Sequence, residues 1–116
     1  MLLNTIMDSD KNIRFLLVSD MYGNIVNSKH REGKSNFLSE DETKQSLENS
    51  VESWRQRKEY APKIGKGKYA FVEYERICRI TMPLSDERLL LVTTEKNENP
   101  LKGINLILNQ ISHPKM

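Results

Sequence analysis

The stretch Ile13 to Asn27, IRFLLVSDMYGNIVN, constrains the fold more than any other part of the chain. Phe15, Leu16, Leu17 and Val18 are apolar at consecutive positions. A strand built from them presents apolar side chains to both faces, so it must be covered twice or lie centrally in its sheet. Asp20 and Gly23-Asn24 supply turn chemistry, Asp by capping backbone N–H groups and Gly or Asn by accepting positive φ. A second, more polar strand then runs from Ile25 to His30 and belongs nearer an edge. A sheet that needs two covered faces must take its helices from elsewhere in the chain.

Those helices have their own signals. Leu2, Leu3, Ile6 and Met7 form a short apolar stripe at helical spacing over Met1–Asp8, one or two turns that need packing to persist. Ser39-Glu40-Asp41-Glu42 is a capping box, with Ser39 as the cap and Glu42 three residues on. The acidic start suits the positive end of the helix dipole, and Arg55, Arg57 and Lys58 suit its negative end. Leu47, Val51 and Trp54 form a narrow apolar stripe, and Pro62 with the glycines of KIGKGK ends this helix by Tyr60. Tyr69–Tyr74 alternates like a strand, as does Ile77–Met82, where Cys78, Ile80 and Met82 share a face opposite Arg79 and Thr81. Glu75-Arg76 between them fits either a tight turn or a bulge. Pro83 closes the second of these strands, and Leu89–Thr94 holds the most apolar run of the chain. Asn99-Pro100 caps a last helix. Its stripe is Leu101, Ile104, Leu108 and Ile111, with Ile107 beside it and Pro114 closing it. The predicted order is a short helix, two strands, a helix, three strands and a helix.

Composition narrows the class. The 116 residues form one domain, 1–116, able to bury roughly two-thirds of the unfolded surface. At 37% apolar and 29% charged it is an ordinary globular chain, and a formal charge of +2 gives no bulk argument for nucleic acid or membrane. One cysteine, Cys78, excludes an internal disulfide and fits a reducing compartment. No apolar run reaches the length of a membrane span, and the N-terminus lacks a secretory pattern, so a cytoplasmic protein is expected.

In this order of elements the chain resembles the roadblock/dynein light-chain superfamily. DMYGNIV is similar to that family's first hairpin, and RITMPLSDERLLLVTTE to its last. More closely, IRFLLVSDMYGNIV, the REG loop, SWRQRKEYAPKIGKGKY and EYERICRITMPL resemble an archaeal family of small roadblock-like proteins from ammonia-oxidising lineages. The resemblance spans Ile13 to Leu108. It implies an α/β fold of the α+β type: a roadblock/profilin-like sandwich with a mainly antiparallel five-stranded sheet and helices on both faces. It also implies a homodimer in which Ser39–Tyr60 and Tyr69–Tyr74 pair with their copies, and a scaffold or regulator of Ras-like GTPases rather than an enzyme. The first helix is shorter than is usual in that family, which implies thinner cover on one face of the sheet.

Candidate sites follow from charge and aromatic placement. Arg55 to Lys68 carries net +5 and Ser39 to Glu52 net −4. An antiparallel pair of such helices sets each acidic half against the partner's basic half. Dipole complementarity plus a solvated loop explains the same split without a partner. Trp54, the one tryptophan, fits either a core ring or an interface anchor, and is read as the anchor because its stripe is too narrow to serve both sheet and partner, though part of the stripe must still pack on its own sheet. The expected dimer or partner interface is Leu47, Val51, Trp54, Arg55, Lys58, Tyr69 and Phe71. Arg57, Lys63, Lys66 and Lys68, interleaved with Tyr60 and Tyr69, are the expected contacts if an anion or nucleic acid binds.

Other motifs carry less. Gly33-Lys34-Ser35 ends like a phosphate-binding loop but has Ser28 where the first glycine belongs. His30 and His113 have no companion at metal-ligand spacing and are read as surface residues. Cys78 reads as packing, Glu73 and Glu75 as surface carboxylates, and no catalytic constellation assembles. No cofactor or metal is implied. The expected function is a non-enzymatic dimeric regulatory or scaffold module for a protein partner, such as a small GTPase. The alternatives are a nucleic-acid binder using 55–68 and a sensor holding a small ligand between helix and sheet.

Overall fold

The first hairpin forms, and Asp20 sets its turn. One carboxylate oxygen accepts from the backbone N–H of Tyr22 (2.8 Å) and Asn24 (2.9 Å), and the other from the Asn24 side chain (3.0 Å). Gly23 adopts φ +85°, which a Cβ would strain. In the computed structural model, which describes residues 2–35, 37–96 and 98–112, this hairpin joins β1 (Ile13–Asp20) to β2 (Ile25–His30). The other elements are α1 (Leu2–Ser9), α2 (Glu40–Ile64), β3 (Ala70–Glu73), β4 (Ile77–Pro83), β5 (Arg88–Glu95) and α3 (Pro100–Ser112).

The strands form one antiparallel sheet ordered β2-β1-β5-β4-β3, so the most apolar strands are interior and β2 and β3 are the edges. Alternation sends Leu16, Val18, Leu90, Val92, Ile80 and Met82 to one face, where α1 and α3 supply Leu3, Ile6, Met7, Ile104 and Ile107. It sends Leu17, Leu89 and Leu91 to the other, where α2 supplies Leu47, Val51 and Trp54. Helices on both faces make this the expected α+β sandwich.

Three details depart from the expectations. α2 passes Tyr60 and Pro62 and ends at Gly65, which takes φ +92° and donates its N–H to the Ala61 carbonyl (2.8 Å). Proline so near the end forfeits one backbone bond on an exposed turn, and the glycine supplies the actual stop. In α3, Leu101 is exposed and Ile107 is in the core, so the apolar stripe runs through Ile104 and Ile107, flanked by Leu108 and Ile111. The short α1 does not leave its face thin. It packs against α3, and Arg31 from the loop after β2 ties its end down, donating to the carbonyls of Met7 (2.7 Å), Asp10 (2.9 Å) and Ile13 (2.6 Å). Glu75-Arg76 is the tight turn of the two alternatives: Tyr74 N–H reaches the Ile77 carbonyl at 2.9 Å, leaving two residues in the loop. Pro114 and His113 lie outside the described residues.

Candidate functional site: the open flank of the sheet

The capping box starts α2 as its sequence requires. Ser39 Oγ accepts from Glu42 N–H (3.1 Å), and Glu42 Oε1 accepts from Ser39 N–H (3.0 Å). From there the helix lies across β1, β5 and β4, and its stripe points inward. Trp54 is only 3% exposed, its Nε1–H donates to Thr81 Oγ1 on β4 (2.7 Å), and Leu47 and Val51 are buried beside it. The edge of its ring lies against the loop after α2, where a Cβ on Gly67 would come within 2.8 Å of the ring. Trp54 is therefore a core residue of this chain, with almost no ring surface left to anchor a partner. A narrow stripe suffices because the sheet beneath it supplies Leu17, Leu89 and Leu91.

The remaining expected interface residues do not form one patch. Arg55 points to the hairpin side, donating to the Met21 carbonyl and stacking on Tyr22. Lys58 donates to the Asp86 carbonyl (2.6 Å). Phe71 pairs with Ile80 in register and packs on the α1/α3 face, and Tyr69, two residues earlier, is exposed. The charges of α2 are spread over its outer side, and Glu48 and Arg55 lie over the β1–β2 hairpin. Of the basic residues expected to meet an anion, Arg57 lies over the Trp54 ring, 4.8 Å from its centroid, while Lys63, Lys66 and Lys68 are exposed. The GKS segment is a turn with Gly33 at φ +80°, and Lys34 ion-pairs with Glu95 at 3.2 Å. His30 is exposed, with its ring 4.4 Å from that of Phe15. Among the described residues no group of His, Cys, Asp or Glu is placed to hold a metal ion, and no helix is long and apolar enough to cross a membrane.

What the sequence reading missed lies on the far side of α2, towards β3. There the helix presents Ser46, Ser50 and Ser53, all half-buried and small. Ser46 Oγ accepts from Arg79 of β4 (2.5 Å), which fixes that flank over the sheet. Beyond it, β3 pairs only with β4. Val72 and Tyr74 stand on the face that α2 covers elsewhere, in register with Arg79 and Ile77, and each is about half exposed (50% and 49%). Ala70 at the start of β3 still packs against the α2 cluster, but the rest of the strand runs past the helix, leaving an apolar strip, a sheet edge and a low helix flank side by side. The alternation of YAFVEY held the signal: Phe71 and Val72 must face opposite ways, so one of them needs cover from outside.

No family model matches the chain, and no curated protein matches it by sequence. Solved structures do. Gliding protein MglB from Thermus thermophilus superposes with a TM-score of 0.73 at 15% identity, covering 97% of this chain and 81% of that one. MglB in a tetrameric arrangement gives 0.74 at 14%, covering 97% and 80%. A roadblock/LC7 domain from Streptomyces avermitilis gives 0.67 at 8%, covering 96% and 92%. The fold is that of the roadblock/LC7 domains.

Proposed function

We propose that this domain is a regulatory or scaffolding module that pairs with a second copy through β3 and the serine flank of α2, and that the pair binds a protein partner. The observation that carries this is the open strip. A four-residue edge strand with Val72 exposed on it and Tyr74 exposed just beyond it, beside small helix residues, supports an interface in which two sheets join edge to edge. The small flank lets a second helix approach closely, with the acidic and basic halves of α2 at the rim, where charges set orientation rather than affinity. A neighbour of the same fold was solved as a tetramer, which supports self-association as a use of this scaffold. The sequence resemblance points to a small Ras-like GTPase as the class of partner, and its closer pieces to an archaeal cytoplasmic protein. Nucleic-acid binding through 55–68 has less support, since Arg55, Arg57 and Lys58 are already engaged within the fold.

Sedimentation of the purified chain tests the pairing. Dimers are expected at tens of micromolar, and Val72→Lys, which puts a charge on the strip, should give folded monomers. A native chain that stays monomeric at that concentration, or a Val72→Lys chain that dimerises equally well, removes this interface.

A further inference from the structure

A second feature of the α2 face adjoins that strip through the Arg79–Ser46 bond and opens in a different direction. Near the N-terminal end of α2, a partly open cleft of about 40 Å³ runs between the helix and the sheet. Its walls are apolar at Phe15, Ile77 and Leu38 and polar at Arg79, Thr43 and Thr93. Arg14 closes one end, but its guanidinium is already engaged by Glu95, by the Ser35 carbonyl (3.1 Å) and by the Phe37 ring. Arg79 is not so committed. It is half-buried and rises from a central position of β4, between Thr93 and Val72 in register. Its one hydrogen bond is to Ser46 Oγ, and no ion pair among the described residues includes it.

Five donors with a single neutral acceptor in the described protein leave most of this fork facing water, where a ligand can take it. The hydroxyls of Thr43 and Thr93 make no hydrogen bond within the described protein either, so the cleft holds a cation and two free hydroxyls over an apolar floor. Lys34 and Arg14 both ion-pair with Glu95 at one end of the cleft, so Arg79 is the lining cation left without a carboxylate among the described residues. The volume admits about three water-sized groups, enough for a planar carboxylate and one or two carbons. The Arg fork matches a carboxylate in two parallel bonds, and the aromatic and aliphatic walls suit a short alkyl stem better than a fully hydrated phosphate.

We infer that this cleft binds a carboxylate on a short aliphatic stem, seated on Arg79 with its stem against Phe15 and Ile77. Two sources share that chemistry: a free short-chain acid, or a glutamate side chain of another protein chain. Propionate is the free form and N-acetylglutamate α-amide the peptide form.

Titration of each into the full-length chain, followed by heteronuclear NMR, tests the site. Saturable shifts are expected at Thr43, Arg79 and Thr93. Binding at least about tenfold weaker is expected in Arg79→Gln, with Arg79→Lys, which keeps the charge and loses the fork, in between. If Arg79→Gln fails to fold, Thr43→Val on the opposite wall should weaken binding several-fold. Tighter binding of the amide identifies a protein source, and equal binding a site that reads only carboxylate and stem. Non-saturating shifts, shifts centred elsewhere, equal affinity in the variants, or tighter binding of inorganic phosphate overturn the assignment. Oligomeric state measured in the same samples separates this site from the proposed pairing, because binding retained by a monomer stands whatever becomes of the dimer.

Discussion

On one face of the sheet, α1 and α3 close over β1, β5 and β4 and bury twelve residues in a continuous apolar cluster that reaches Phe71 on β3. On the other face α2 works alone, burying six residues, and reaches only Ala70 of β3, so that Val72 and Tyr74 remain exposed. Both faces are built from the same strands with the same alternation, so strand composition does not explain the difference. Helix supply does: two helices on one side, one on the other. The closed face holds the protein together, and the open one has surface to offer. Substitutions on the two faces should therefore separate stability from association.

The largest effect is expected on the closed face. Leu90 is fully buried there, and Leu90→Ala should cost about 3–4 kcal/mol in urea unfolding while the folded fraction keeps its native association state. Arg31→Ala should cost about 2 kcal/mol, because it removes three side-chain donations to backbone carbonyls and loosens α1 from the sheet. Faster amide exchange confined to α1 and the start of β1 would be its signature. On the open face, Trp54→Phe should cost about 1–2 kcal/mol through the lost bond to Thr81 and lost ring area, with no change in sedimentation. Loss of dimer in that variant would return the tryptophan to the interface and blur the contrast between the faces.

The smallest effect is electrostatic. Hydrogen bonds from the backbone and then the side chain of Asn24 hold the Asp20 carboxyl below its ordinary value of 3.8. For Glu95, burial pulls the carboxyl up, but bonds from Lys34 and Arg14 outweigh it and leave the value below the ordinary 4.5. A carboxylate held low in the folded state adds stability that is present above its unfolded value and is lost as pH falls through the folded one. Urea midpoints should therefore hold steady down to about pH 5 and decline slightly towards about pH 3, less steeply in Asp20→Asn.

Much of the fold could be read from local chemistry. Asp20 and Gly23 specify their turn, Ser39 and Glu42 their cap, and the run at Leu89–Val92 announces a strand covered on both sides. The end of α2 was misread because proline was weighed as a stop, whereas only Gly65 at positive φ ends the helix. The candidate site was legible only in part. Trp54 looked like an anchor because sequence shows the helix stripe but not the sheet that fills in beneath it. The charge split draws attention to residues that the fold spreads over the outer side of α2, with Arg55 over the hairpin, Arg57 over Trp54 and Lys58 at the Asp86 carbonyl. Val72, Ser46, Ser50 and Arg79 carry no motif, and they matter only because tertiary structure sets an uncovered strand beside a small-residue flank.

The central claim is that the β3 edge is completed by a second copy. Tyr74 N–H bonds to the Ile77 carbonyl, so by antiparallel alternation Val72 and Ala70 also face β4, and the amides of Phe71 and Glu73 point outward from the edge. Amide hydrogen exchange measured at several protein concentrations reads that edge directly. The account predicts that Phe71 and Glu73 become protected as concentration rises, and that Val72→Lys abolishes the dependence. Rapid exchange of both amides at every concentration would contradict it.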